Sequence, residues 1–259
     1  MFGLTQLRRW WTRRILTRHL IPLPVWQHVL DESPLLSALK RHELHQLHKL
    51  TSLFLYHKVV VGADNFELDE FMRATIAAQA CLLVLNLGLD WFDGWSEIIV
   101  YPDAFIAPRR EQDAAGVVHE GTNGLSGEAW GRGPVILSWA DIDPSTQNQH
   151  RKGSNVVLHE FTHKLDFLDG SANGIPPLHL GNTMQDWAED FTRAYADLSH
   201  RSPRHSGGID RYATTNPAEF FAVMTELFFE APQRLQENYP SIYDELRHFY
   251  LQDPIKRMR

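Results

Sequence analysis

The chain has 259 residues, a net charge of −7, 43% hydrophobic residues and 22% charged residues. This composition is ordinary for a soluble globular protein, and the length suits one large domain or two small ones. The negative charge excludes nucleic-acid binding by the molecule as a whole, so no direct nucleic-acid partner is expected. The single cysteine, Cys81, excludes an intrachain disulfide framework and is usual in a reducing cytosol.

Residues 1–20 are predicted to be a basic N-terminal arm. Residues 1–30 contain five arginines and no acidic residue. No secretory signal is predicted, because this segment has neither an apolar h-region nor a small-residue cleavage site. No transmembrane segment is predicted, because the longest apolar stretch, residues 80–89, is too short to span a membrane. Three roles stay open for the arm: a solvated or loosely docked terminus, a contact with an acidic partner, or a contact with a membrane surface.

Residues 21–95 are predicted to be a helical N-terminal part. Leucines recur at three- and four-residue intervals between Leu35 and Leu50, which predicts one helix, and a second is predicted over residues 69–87. The first helix also carries three histidines, but they lack an i, i+4 pair and a completing acid. We therefore interpret these histidines, which are His42, His45 and His48, as part of a solvated face rather than a metal site.

Residues 96–259 are predicted to be the catalytic part, forming one compact unit with residues 21–95. Segments rich in Val, Ile and aromatic residues and broken by Gly and Pro predict strands within 98–106, 116–119 and 127–139. Helices are predicted around 156–168, 187–198 and 217–230, with loops at 169–183 and 201–215. Helices followed by strands and again by helices predict an α+β fold.

An H-E-x-x-H motif lies in the first of these later helices, at His159, Glu160 and His163. On a helix the two histidines lie one turn apart on one face, so both imidazoles can reach one tetrahedral zinc ion. Glu160, beside that face, can act as the general base that takes a proton from a metal-activated water and passes it to the leaving amine. The pattern predicts a metallopeptidase.

A zinc ion held by two histidines needs a further ligand, and the residues alone leave three candidates. Asp169 stands ten residues after His159, where metzincin-type sites carry their third ligand, but Asp166 occupies the position where those sites have glycine. Glu219 and Glu226 are seven residues apart and share a face of the 217–230 helix. Glu219 also fits a capping box that begins at Asn216.

Several segments together resemble the MtfA (Mlc titration factor A) family of peptidases. The resemblance runs from about Pro22 to Pro254, and its motifs occur in the same order. They are A-A-Q-A-C at residues 77–81, H-E-F-T-H-K-L-D at 159–166, A-N-G-I-P-P-L-H at 172–179, Tyr212, and N-P-A-E-F-F-A-V at 216–223.

The resemblance implies a cytoplasmic zinc peptidase of the gluzincin type with one Zn²⁺ per chain and aminopeptidase-like action on peptide substrates. It implies a zincin-like core, made of a small mixed sheet and the H-E-x-x-H helix, behind a helical N-terminal part. It makes His159, His163 and Glu219 the zinc ligands, Glu160 the general base and Tyr212 the donor to the oxyanion. It also implies binding and sequestration of a transcriptional repressor.

A regulatory protein-binding factor with a non-catalytic zinc site is the alternative from another functional class. Structural zinc usually has four protein ligands, mostly cysteines, whereas three ligands and an open position are typical of catalysis. The single cysteine and the His/His/Glu set therefore favour an enzyme.

Overall fold

The computed structural model describes residues 2–103, 111–112, 118–119, 133–145, 153–179, 181–202 and 206–257. Within these ranges the chain forms ten α-helices and five β-strands. This is mostly helical, with a small sheet, and is compatible with the predicted α+β class. None of the described helices is both long and apolar enough to cross a membrane.

Five helices come before the catalytic motif. They are α1 (Phe2–His19), α2 (Leu23–Asp31), α3 (Pro34–Ser37), α4 (Arg41–His57) and α5 (Glu70–Leu83). The start of α5 follows from its sequence, because the Asp69 carboxylate accepts the Met72 N–H at 2.7 Å and so satisfies an otherwise unpaired donor of the first turn. The two helices predicted at 35–50 and 69–87 correspond to α4, whose start lies six residues later, and α5.

The basic arm of residues 1–20 is largely helix α1, which packs against α4. Ile15 is the buried residue on its inner side. In α4 the three histidines do not form a cluster: His48 is buried and its Nε2 lies 2.9 Å from the Ile21 carbonyl, whereas His42 and His45 are exposed.

The main sheet has three parallel strands in the order β1-β2-β5. They are β1 (Val59–Gly62), β2 (Glu97–Tyr101) and β5 (Val135–Ser138). A separate antiparallel pair joins β3 (Glu111–Gln112) and β4 (Val118–His119). The prediction of a mixed sheet is wrong for the described residues, because the three-stranded sheet is parallel throughout. Parallel strands need long connections, which bring each strand back in the same direction.

Strand β1 was not predicted. Of the segments predicted at 98–106 and 116–119, only 98–103 and 118–119 lie within the described residues, and they contain most of β2 and all of β4. Only 133–139 of the segment predicted at 127–139 lies within the described residues, and it contains β5.

Five more helices follow the sheet: α6 (Val156–Asp166), α7 (Met184–His200), α8 (Pro217–Glu230), α9 (Pro232–Asn238) and α10 (Pro240–Tyr250). The first three correspond to the predicted helices. The spacing of Trp187, Phe191, Ala194, Tyr195 and Leu198 predicts one apolar stripe on α7, and in the structure four of them are buried and Tyr195 is half-buried.

Helix α6 lies in the interior, packed against α5 on one side and α8 on the other. Its Phe161 is fully buried, in edge-on or tilted contact with Phe54, Phe92 and Trp95. Truncating a buried Phe of this kind typically costs about 3–5 kcal/mol. One hydrophobic cluster includes side chains from both residues 21–95 and residues 96–257. The proposed division at residue 95 stays a prediction.

Candidate metal centre

Helix α6 carries the H-E-x-x-H motif with its histidines toward α8. The helix begins at Asn155, whose Oδ1 accepts the Leu158 N–H at 3.0 Å. His159 and His163 are half-buried one turn apart, and their Nε2 atoms are 3.2 Å from each other. The opposite face, which includes Phe161, is buried in the core, so packing fixes the direction in which both imidazoles point.

Helix α8 delivers a carboxylate to the same point. Asn216 caps its first turn by accepting the Glu219 N–H at 3.0 Å, and Pro217 occupies the first helical position. The Glu219 side chain turns away from the cap: its Oε2 lies 2.9 Å from His159 Nε2 and 3.5 Å from His163 Nε2. The capping residue predicted at Asn216 is confirmed, while the Glu219 carboxylate faces the histidines.

These three donors fit a tetrahedral metal ion. Zinc bonds of about 2.0–2.1 Å at tetrahedral angles place ligand atoms roughly 3.3 Å apart. The three separations among His159, His163 and Glu219 run from 2.9 to 3.5 Å. They form the group of possible metal ligands in the described part of the chain. Their role as ligands stays a prediction, but the donor set and spacing are those that zinc requires.

Glu226 holds His159 from the other side of its ring. Its Oε1 lies 2.7 Å from His159 Nδ1, and its Oε2 accepts the Asn155 backbone N–H at 2.5 Å. Metal-ligating histidines usually donate their second ring N–H to a carboxylate, which fixes the tautomer and the ring orientation. Glu226 therefore meets the description of a positioning residue, and it also anchors the start of α6.

The charges of the cluster favour a cation at its centre. Burial alone would lower the pKa of His159, but hydrogen bonds to Glu219 and Glu226 raise it to about 10. Burial opposes ionisation of Glu219 as well, yet contacts with His159 and His163 hold the pKa of its carboxyl well below the usual range. Two carboxylates thus stabilise positive charge at a buried point, which is what a bound metal ion needs.

Glu160 stands next to the histidines but outside the three-donor group. Burial raises the pKa of its carboxyl above the usual range. A raised pKa suits a general base, because such a group must hold a proton as well as release it.

Gly174 joins the helices that carry the site. Its N–H donates to Asp166 Oδ2 at the end of α6 at 2.9 Å, and its carbonyl accepts the Trp187 indole N–H of α7 at 2.9 Å. Its φ is +79°, and a Cβ there would lie 2.5 Å from the carbonyl oxygen of Pro217 in the first turn of α8. Only glycine fits this approach, which sets α8, and with it Glu219, against α6.

Tyr212 lies beside His159, the histidine that Glu226 contacts. It belongs to a short 3-10 turn, Arg211–Thr214, and its ring centroid is 5.9 Å from that of His159. The turn is tied to α7 by the Tyr195 hydroxyl, which donates to the Thr214 carbonyl at 2.9 Å. Tyr212 is 45% exposed and lines, with His159, a cavity of about 230 Å³. Glu226 also lines this cavity, so the structure places Tyr212 beside His159, on the side of the ring that Glu226 contacts.

The remaining predicted candidates lie elsewhere. Asp169 is exposed, and its Oδ1 accepts the Ser171 N–H at 3.1 Å, so it takes no part in the cluster. Sequence reasoning weighed Glu226 only as a ligand and missed its contact with Nδ1 of His159. Its seven-residue spacing from Glu219 is the signal that could have assigned both carboxylates to the same histidine.

Comparison with known proteins identifies the family of this chain. Residues 7–251 match the family described as "Glucose-regulated metallo-peptidase M90". The chain belongs to this family. The Mlc titration factor A proteins of Cronobacter sakazakii (strain ATCC BAA-894) and Enterobacter sp. (strain 638) are 39% identical over 247 residues and 38% identical over 230 residues. Those alignments cover 94% and 87% of this chain and 91% and 85% of the relatives.

The Mlc titration factor A of Escherichia coli (strain K12 / DH10B) is 37% identical over 244 residues, which is 93% of this chain and 90% of that protein. The resemblance to the MtfA family is confirmed. Family M90 membership indicates a metallopeptidase, and the His159, His163 and Glu219 group is where this member can bind its metal.

Proposed function

We propose that this M90 member is a cytoplasmic, zinc-dependent peptidase of the gluzincin type, with aminopeptidase-like action on peptides and one zinc ion per chain. The observation that carries the proposal is the convergence of two histidine nitrogens of one helix with a carboxylate oxygen of another, within 3.5 Å of one another. His159, His163 and Glu219 would hold the ion.

Zinc at this position would supply Lewis acidity, polarising the scissile carbonyl and lowering the pKa of a water molecule. Glu160 takes the proton of the attacking water and delivers it to the leaving amine. Its place next to His159 in sequence, and its raised pKa, suit both steps.

Tyr212 is proposed as the donor that stabilises the oxyanion. A donor of this kind must approach the substrate from the open side of the site, since it acts on charge that develops only in the transition state. The half-exposed side chain of Tyr212, whose ring is tilted against that of His159, supports this role.

Strand β5 is the proposed support for the substrate backbone. It lies at an edge of the three-stranded sheet as described, and helix α6 packs against it. An extended peptide can pair with such an edge by adding a strand. Gly127 to Ala129, in the strand segment predicted at 127–139, is the other candidate proposed for this role, and it lies outside the described residues.

A second function, sequestration of a transcriptional repressor, is proposed from the relatives' name, since "Mlc titration factor A" describes titration of Mlc. Binding by an outer surface would leave the metal centre open, so both functions can coexist. The segment 201–211 and the basic arm are the proposed sites where partner choice differs between members. The alternative, a regulatory factor with a purely structural zinc, is less consistent with a three-donor group beside a cavity.

The proposal is tested by measuring zinc content and hydrolysis of alanine p-nitroanilide and short peptides by the purified full chain. About one zinc per chain is expected, chelation should abolish hydrolysis, and added zinc should restore it. Hydrolysis that survives complete zinc removal would overturn the enzyme mechanism. Zinc binding without hydrolysis of any peptide would favour the regulatory alternative.

A further inference from the structure

Helix α1 exposes two tryptophans to solvent. Trp10 is 51% exposed and Trp11 50%, with their rings in edge-on contact at 5.2 Å. The other tryptophans in the described part of the chain are buried or half-buried. Large aromatic side chains exposed side by side on one helix mark a contact surface more often than an ordinary solvated face.

The outward face of α1 is apolar in its first half and cationic in its second. Leu7, Trp11, Arg14 and Arg18 follow one another at four-, three- and four-residue intervals, so they share a face, and all four are exposed. The Arg14 guanidinium lies 5.5 Å from the centroid of the neighbouring Trp10 ring. The less exposed residues Thr12, Ile15 and Leu16 mark the side of the helix that turns toward the protein, and α1 packs against α4, so most of this face is left to solvent while the helix stays attached.

Three arginines of this helix form no ion pair with a carboxylate in the described part of the chain. This holds for Arg13, Arg14 and Arg18. The net charge is −7 and residues 1–30 contribute five positive charges, so the other 229 residues carry an excess of 12 acidic side chains. A strongly acidic protein thus presents a concentrated basic helix, three of whose arginines have no carboxylate partner among the described residues. Charge complementarity calls for an external anionic surface.

We propose that the outward face of α1, defined by Leu7, Trp10, Trp11, Arg14 and Arg18, docks the protein reversibly on anionic lipid membranes. Tryptophan side chains are favoured at the depth of the lipid head groups, and arginines pair with lipid phosphates at the same depth. A helix that binds in a protein groove normally offers a continuous apolar stripe of anchors. Here the stripe becomes cationic after Trp11, which fits a head-group layer better than a groove.

The excess of acidic side chains outside residues 1–30 sets the strength and orientation of this contact. An anionic membrane repels that part of the protein and attracts α1, so the protein would attach through this helix. One short basic, aromatic helix gives binding that is weak and sensitive to salt. The proposal is independent of the metal centre and of its activity.

The experiment is flotation of the full chain with phosphatidylcholine vesicles and with vesicles of equal parts phosphatidylcholine and phosphatidylglycerol. We expect binding to the anionic vesicles only, with tryptophan emission shifted to shorter wavelength, and a loss of at least about tenfold between low and high salt. Replacing Arg14 and Arg18 together by Gln should lower binding about tenfold or more. Replacing Trp10 and Trp11 by Ala should lower it with the charge unchanged and remove the spectral shift.

A matched control replaces Arg193 and Lys256 by Gln, which changes the net charge by the same amount at exposed sites on another helix and a turn. This variant should bind like the wild type. Absence of binding to anionic vesicles, or equal losses in the arginine variant and the control, would overturn the proposal. Absence of vesicle binding together with arginine-dependent binding to poly-glutamate would assign the face to an acidic protein instead.

Discussion

The three possible metal ligands and Tyr212 lie on different kinds of structural element. His159, His163 and Glu219 lie on two long helices that pack against each other in the interior. Tyr212 lies on a four-residue turn and is 45% exposed. Side chains that must hold an ion need fixed positions before it binds, whereas a side chain that acts on the substrate must be reachable from solvent. The contrast separates residues expected to control metal affinity from those expected to control turnover.

The largest effect is expected from removing a histidine on the helical side. His163→Ala should lower zinc affinity by more than about 100-fold and abolish hydrolysis, because two remaining donors do not hold zinc tightly. Zinc content after dialysis and hydrolysis by the same sample check this. His45→Ala, at an exposed position of α4, is the control and should keep both. A His163→Ala protein with full zinc would separate this residue from the metal.

Glu160→Gln should lower turnover but leave the zinc content unchanged. Turnover is expected to fall by about 10²–10⁴-fold, since proton transfer is lost, while zinc content stays near that of the wild type because Glu160 is outside the three-donor group. Peptide hydrolysis and metal analysis on one preparation are the measurements. Glu189→Gln, exposed on α7, should leave both unchanged. Wild-type turnover in Glu160→Gln would remove Glu160 from the mechanism.

Tyr212→Phe tests the exposed side. We expect kcat to fall by about 10²-fold with KM little changed and zinc retained, because an oxyanion donor acts mainly in the transition state. Steady-state kinetics on a short peptide measure kcat and KM separately and so check this prediction. Tyr56→Phe, at another exposed tyrosine, is the control. An unaltered kcat would leave Tyr212 as a surface tyrosine beside the cavity.

The smallest of these effects is expected at Glu226, which contacts His159 but lies outside the three-donor group. Glu226→Gln should lower zinc affinity by about tenfold, with the metal still bound at saturating zinc. The cause is the loss of the charged acceptor at His159 Nδ1. Competition with a zinc-binding dye measures the change, with Glu237→Gln on the exposed side of α9 as control. A loss as deep as that of His163→Ala would make Glu226 a ligand instead.

Local sequence signals were sufficient for the helices of the site. The caps Asn155 and Asn216, Pro217 and the H-E-x-x-H spacing each act within one turn, so α6 and α8 could be predicted with little error. The assignment of carboxylates depended on the register between two helices 60 residues apart. Because Glu219 and Glu226 share a face, the residues alone could not decide which one meets Nε2 of His159 and which meets Nδ1.

The sheet and the helix junction were less accessible to sequence reasoning. Strand β1 has only four residues, which is too short for a clear alternating pattern, and strand direction depends on connections that no local pattern reports. Gly174 was noticed only as part of a motif. Its reason, the close approach of its backbone to Pro217, appears only when α6 and α8 are packed together.

The central claim is that Glu219, carried by α8, completes a zinc site with His159 and His163. A zinc titration of the wild type, Glu219→Gln and Asp169→Asn tests it most directly. We expect about one zinc per chain in the wild type and in Asp169→Asn, and a loss of affinity of more than about 100-fold in Glu219→Gln. If Glu219 acted only at the helix start, Glu219→Gln would keep its zinc and lose at most about 1 kcal/mol of stability. Zinc retained by Glu219→Gln, or lost only in Asp169→Asn, would contradict the claim.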